Sequence, residues 1–156
     1  MNWFNVALPV VTLIVGAAIT LGANAIQHRT KRRESLVDGL RAARAARYTD
    51  FLTAAHGAAH LLGRMTPNCP SPLEWDPNTY ALVDSDVTQK LRVLELVGSE
   101  SVVGAARPYR VALNDFRAAF DRGFVYDTPE YWDAYRPVGR ARDQFIAAAR
   151  AELISI

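Results

Sequence analysis

The chain has 156 residues, of which 18 are Lys or Arg, 16 are Asp or Glu and half are hydrophobic. That is enough apolar surface for a buried core, and too little length for two ordinary globular domains. The lone cysteine, Cys69, excludes an internal disulfide and any cysteine-based zinc cluster. The net charge of +2 hides a polarised chain: through Arg47 there are seven Lys and Arg against Glu34 and Asp38, whereas residues 48–156 hold eleven against fourteen acids.

No charged residue precedes Arg29, and Val6 to Ile26 form a 21-residue run whose only hydrogen-bonding side chains are Thr12, Thr20 and Asn24. As a helix this run spans about 31 Å, the thickness of a bilayer's hydrocarbon core. The cluster His28-Arg29-Thr30-Lys31-Arg32-Arg33 follows at once. Basic flanks stay cytoplasmic, so the sequence predicts a single-pass cell-membrane protein with its N-terminus outside. Its parts are a transmembrane anchor over 1–28 and a cytoplasmic helical bundle over 29–156. The rival is a cleaved signal peptide at Ala23-Asn24-Ala25. It is opposed by the missing basic n-region, the length of the run and the positive charges after the cut. Gly16 with Thr20, and Ala18 with Gly22, place small residues along one side of the span, which allows a homodimer through the transmembrane helix.

Beyond the anchor the pattern is helical throughout. Val37, Leu40, Phe51, Ala54, Ala58, Leu61 and Met65 recur at threes and fours and predict one long helix over 34–65. Four prolines between Thr66 and Asn78 then impose a loop. Asp76-Pro77 is a cap followed by proline at the first helical position, and it opens a second helix through Val83, Val87, Leu91, Leu94 and Val97 that Gly98 closes. Ser99 caps a third helix, in which Val102, Ala106, Tyr109, Leu113, Phe116 and Phe120 keep the spacing of a bundle seam, with Pro108 as a kink point and Gly123 as the stop. Thr128-Pro129-Glu130 starts a fourth, whose predicted face is Trp132, Tyr135, Ile146, Ala149 and Leu153, weakened in its first half by Pro137. No period-2 strand appears, so the expected fold is all-α: the transmembrane helix followed by an antiparallel four-helix bundle.

Few residues carry chemistry. His56 and His60 are four apart on one helix face, a spacing that can chelate a metal. Gly57 stands where a metalloprotease needs its glutamate, and only Glu95 or Asp115 offer themselves as a third ligand. The ordinary reading is a pair of polar-tipped side chains at a bundle edge, and no cofactor is expected. Acid pairs (Glu74 with Asp76, Asp84 with Asp86, Asp127 with Glu130) flank turns and helix starts, where carboxylates stabilise the helix dipole. Arg41 and Arg44 extend the basic run of Arg29, Lys31, Arg32 and Arg33 and predict contact with anionic lipid of the inner leaflet. Nucleic acid is not an expected partner: the chain past Arg47 is acidic and lacks any nucleic-acid-binding motif. The aromatics Trp75, Tyr80, Tyr126, Tyr131, Trp132 and Tyr135 gather near the loops and the start of the fourth helix, and Trp75, Tyr131, Trp132 and Tyr135 are the predicted surface for a protein partner.

An apolar span, a basic stop, the segment Tyr48-Thr49-Asp50-Phe51-Leu52-Thr53-Ala54-Ala55-His56, then Leu94-Glu95-Leu96-Val97-Gly98-Ser99 and Phe145-Ile146-Ala147-Ala148-Ala149-Arg150, together resemble uncharacterised small membrane-anchored proteins of actinobacteria and their phages or plasmids. The resemblance lies in the layout and implies a high-GC bacterial or mobile-element origin, with no active residues to carry over. Two functions are expected: a non-enzymatic membrane-tethered adaptor, such as an accessory subunit or a modulator of a host envelope protein, or a metal-dependent or small-ligand-binding enzyme using His56 and His60.

Overall fold

A computed structural model of the chain describes residues 36–155. The predicted membrane span, its small-residue face and the cluster Arg29, Lys31, Arg32 and Arg33 lie outside the described residues. Among the described residues there is no strand, and no helix is long and apolar enough to cross a membrane. One compact unit begins at Arg41. Its elements are α1 from Arg41 onward (the helix is described over 36–65), α2 (Pro77–Val97), α3 (Glu100–Asp121) and α4 (Pro129–Ser155).

Each boundary has a local chemical cause. The Asp76 carboxylate accepts from the Asn78 and Thr79 amides, and Pro77, which has no N–H to satisfy, takes the first helical position. α2 ends at Gly98, whose amide donates to the Leu94 carbonyl at 2.7 Å; a Cβ there would lie 2.8 Å from that same oxygen, so a side chain does not fit. Ser99 follows directly and its hydroxyl accepts from the Val102 amide, which makes the α2–α3 connection two residues long. Gly123, at φ +86°, breaks α3 in the left-handed region. The Thr128 hydroxyl accepts from the Tyr131 amide ahead of α4. Both α3 and α4 run on through Pro108 and Pro137.

Packing follows sevens. Tyr80, Val87 and Leu94 are the buried residues of α2, Val102, Tyr109 and Phe116 form one buried column of α3, and Tyr131, Val138 and Phe145 form one of α4. In α1 the buried side chains are Tyr48, Phe51, Ala55, Ala58, Ala59, Leu62 and Met65. This heptad recurrence is what lets helices pack along a shallow seam. Phe51 meets Phe145 at 5.0 Å and Tyr109 at 5.9 Å between ring centroids, which ties α1, α3 and α4 at mid-height. Arg44 of α1 reaches Glu152 of α4, while Gly63 of α1 lies against Tyr131, so α1 and α4 run antiparallel. α3 is antiparallel to α4 by the same reasoning, because Ser99 meets Glu152 and Phe116 meets Tyr131. α2 lies antiparallel to α3: Glu95 accepts from Arg107 at 2.9 Å, Asp84 takes a two-pronged contact from Arg110, and Arg117 lies 4.1 Å over the Trp75 ring. The result is an all-α, up-down-up-down bundle.

Two faces differ from the sequence expectation. Val37 and Leu40 are 38% and 59% exposed, and the seam of α1 includes Tyr48, Ala55, Ala59 and Leu62, with Ala54 and Leu61 only half-buried. In α4 Ala149 is buried as expected, but at two large positions the seam is displaced by one residue: Tyr131 and Phe145 are buried, whereas Trp132 is 38% exposed and Ile146 half-buried. A one-residue error is a rotation of about 100° on a helix. In alanine-rich segments, hydropathy alone does not set that phase.

At one end of the bundle Glu152, with its side chain only 9% exposed, receives Arg44 at 2.7 Å and the Ser99 hydroxyl. Burial by itself would raise the Glu152 carboxyl, but the Ser99 hydroxyl, Tyr48 and the Arg44 guanidinium together hold it below the ordinary glutamate range. A carboxyl depressed in the folded state stabilises the fold above its unfolded pKa, and that stability is lost as pH falls through the folded value. Glu152→Gln is therefore expected to lower stability near neutrality by about 1–2 kcal/mol and to flatten acid unfolding below the usual glutamate pKa, as read by chemical denaturation at pH 7 and pH 4. For the rotated α4 seam, Phe145→Ala is expected to cost about 3–5 kcal/mol and Ile146→Ala less than half of that in the same measurement. Equal losses would contradict the assigned phase.

Candidate functional site

A concave surface that gathers both histidines and several aromatic rings lies at the opposite end from Glu152, where the last turns of α1 meet the first turn of α4. It is an open cleft of about 580 Å³. α1 contributes His56, His60, Gly63 and Arg64, the proline-rich loop contributes Cys69 and Ser71, and the α3–α4 connection and α4 contribute Tyr126, Tyr131, Trp132 and Tyr135.

The cleft is held by backbone contacts between its loops. The Leu73 amide donates to the Arg64 carbonyl at 2.8 Å, the Tyr126 amide donates to Pro67 at 3.0 Å, and the Arg64 Nε donates to the Ser71 carbonyl at 2.9 Å. Thr66 is buried, and its hydroxyl donates to the Leu62 carbonyl. Asn68 and Asp127 adopt φ of 65° and 62°, in the left-handed region that Asn and Asp tolerate best after glycine. The Trp132 indole N–H donates to Asp127 at 2.9 Å, which pins the exposed ring.

The floor is Tyr131. Its ring is buried, stacks parallel to Tyr135 at 6.0 Å and meets Phe116, Phe124 and Tyr126 edge-on or tilted. Burial, reinforced by the neighbouring Tyr126 and Tyr135 hydroxyls, pushes its phenol up to about 12, so it stays a hydrogen-bond donor across the physiological range. Its hydroxyl reaches α1 because position 63 is glycine: a Cβ there would stand 3.1 Å from the Tyr131 oxygen.

Of the sequence-predicted residues that are described, the structure brings five into the cleft and places three, Trp75, Arg41 and Arg44, elsewhere. Both histidines share the cleft with Tyr131, Trp132 and Tyr135. Trp75 is elsewhere, packed against Tyr80 and Phe120 under the Arg117 guanidinium. Arg44 is engaged by Glu152, and the Nε of Arg41 is buried without a hydrogen-bond partner. Tyr126 is among the aromatics gathered in the sequence, but Arg64 and Gly63 were not singled out there. Arg64 falls four residues after His60 on the same helix face, a spacing that was available to be read.

The imidazoles are 6.5 Å apart between ring centroids and tilted by 34°. Among the described residues no group of three His, Cys, Asp or Glu side chains converges as a metal site. Glu95 is paired with Arg107, and Asp115 lies on a separate groove between α3 and α4 with Pro108 and Arg140. Two imidazoles alone do not fill the coordination that zinc requires from protein, so the residues present do not fit a zinc centre. No family model, curated protein or solved structure matches the chain.

Gly63 provides a direct test of how the cleft floor is set. Gly63→Ala gains about 1 kcal/mol of helix propensity, which offsets the crowding of Tyr131, so little net change in stability is expected. Gly63→Val adds branches that the Tyr131 hydroxyl cannot evade by a few tenths of an ångström. It is expected to cost about 1–3 kcal/mol in chemical denaturation and to shift the Tyr131 ring resonances.

Proposed function

We propose that the chain is a non-enzymatic, membrane-tethered interaction protein. In this reading residues 6–26 cross the cell membrane with the N-terminus outside, and the helical unit on the cytoplasmic side offers the α1–α4 cleft to a protein partner. An accessory subunit of a membrane complex and a phage- or plasmid-encoded modulator of an envelope protein are both forms of this function.

The observation that carries the proposal is the division between a core without buried acids or imidazoles and an open aromatic cleft. Apart from Thr66, whose hydroxyl is satisfied, and the phenol hydroxyls of Tyr48, Tyr80, Tyr109 and Tyr131, the buried residues described are apolar, and none of them is a carboxylate, an imidazole or a thiol that could run a reaction in the interior. The cleft contains no Asp or Glu to orient His56 or His60 as a general base. It does present Trp132 as an exposed ring pinned by Asp127, with Tyr126 and Tyr135 half-buried beside it. Trp and Tyr in such a setting give large contact area at low conformational cost and dominate binding hot spots. The uncharged run and its basic stop support the tether, because translocating the Arg and Lys cluster costs more than leaving it inside. Tethering raises the local concentration of the cleft near other membrane-associated chains.

The expected outcome in a bacterial host is that the full chain, tagged after Ile156, resists carbonate extraction from membranes, and that the tag is digested only when the cytoplasmic face is opened to protease. Trp132→Ala is expected to change stability by less than about 1 kcal/mol while reducing crosslinking to the co-purified partner at least severalfold. A tag digested from outside intact cells would refute the topology, and undiminished crosslinking by the Trp132→Ala chain would refute the cleft as the partner surface.

A further inference from the structure

We propose that the α1–α4 cleft is built to receive an acidic peptide segment, with a carboxylate held by Arg64 and the two imidazoles and an adjacent apolar side chain set against the Trp132 and Tyr135 rings. This rests on the reading of the cleft as the partner surface and adds the chemistry of what enters it.

The first observation is a local reversal of charge. Residues 48–156 carry fourteen acids against eleven bases, yet the cleft is lined by Arg64, His56 and His60 and by no carboxylate. Asp127, next to the lining residue Tyr126, is occupied by the Trp132 indole N–H.

The second is the state of Arg64. Arg44, Arg107, Arg110 and Arg117 are each neutralised by an acid within 4 Å. Arg64, like Arg92, Arg122, Arg140 and Arg150, has no such partner among the described residues; unlike them it donates from Nε to a loop carbonyl, that of Ser71, which holds the guanidinium plane while leaving both terminal nitrogens without an acceptor. A guanidinium held in this way is a preformed fork for a carboxylate, because part of the ordering cost has been met before the ligand arrives.

The third concerns what would otherwise repel an anion. The cleft borders the C-terminal end of α1, whose free carbonyls carry partial negative charge. Here the Leu62, Gly63 and Arg64 carbonyls are taken by the Thr66 hydroxyl, the Thr66 amide and the Leu73 amide. One guanidinium supplies a single permanent positive charge, which suits a monoanionic carboxylate better than a phosphate group of nearly two negative charges. The open volume of about 580 Å³ holds a few side chains of an extended segment.

The test titrates the purified full chain in detergent, by calorimetry and by the Trp132 indole resonance, with an acetylated and amidated pentapeptide of one phenylalanine flanked by two glutamates on each side. Matched peptides carry glutamine or phosphoserine in place of glutamate. The glutamate peptide is expected to bind about tenfold tighter than the glutamine peptide, as loss of a charge-assisted contact implies. Arg64→Gln is expected to abolish the difference. His60→Gln leaves the Arg64–Ser71 contact in place, so it guards against loop collapse in the first variant, and it is expected to reduce the difference about threefold. Equal affinity for the glutamate and glutamine peptides, no binding of either, or tighter binding of the phosphoserine peptide would overturn the proposal. In each of those cases the membrane topology and the Trp132 dependence of partner crosslinking can still hold, so the two readings fail separately.

Discussion

The structure depends on the contact among Phe51, Tyr109 and Phe145, three fully buried rings from three helices that meet edge-to-face. Such rings contribute the largest apolar areas in the core and prefer this geometry over face-to-face stacking. Once they fix the height of α1 against α3 and α4, the heptad step settles what lies above and below. Moving seven residues from Phe145 leads to Glu152 in one direction and to Val138 and Tyr131 in the other. Moving seven from Phe51 leads to Arg44, and to Ala58 and Met65. The antiparallel arrangement therefore sets Arg44 against Glu152 at one end and brings Gly63 to Tyr131 at the other.

The two ends then diverge in chemistry. The Glu152 end is closed: one carboxylate serves Arg44 and the Ser99 hydroxyl, so it secures three helices while leaving few groups for a ligand. The Tyr131 end is open, because two loops rather than a charge pair complete it. α2 is held to the rest mainly through arginines of α3, with Arg107 and Arg110 on Glu95 and Asp84 and Arg117 over Trp75. That set of contacts accounts for Trp75, which fills a helix junction and takes no part in the cleft. It also accounts for Asp84, an acid whose role is set by a partner on another helix.

Much of the fold was legible in local chemistry. Asp76-Pro77, Gly98-Ser99, Gly123 and Thr128-Pro129 mark helix ends because each acts within a turn of its own position, and the seam of α3 was readable because its positions carry large side chains. The faces of α1 and α4 were legible only in part, at Phe51, Ala58, Met65 and Ala149, for a related reason. Ala54, Ala55, Ala58 and Ala59 are nearly equal in hydropathy, and only Tyr48, Phe51 and their partners on other helices decide which alanines are buried. The cleft was partly legible: the spacing of His56 and His60 indicated one face. Its assembly from α1, the proline-rich loop and α4 is tertiary, and nothing within any one segment places Arg64 beside Trp132.

If the aromatic centre sets the antiparallel pairing that forms the cleft, then the end of α1 and the start of α4 must touch at Gly63 and Tyr131. The most direct measurement is the nuclear Overhauser contact between the Gly63 α-protons and the Tyr131 ring in the full chain. The structure predicts a clear cross-peak, since a Cβ on Gly63 would sit 3.1 Å from the Tyr131 oxygen. Its absence, with α1 and α4 both helical, would mean that the two ends do not meet and that the cleft does not exist in this form.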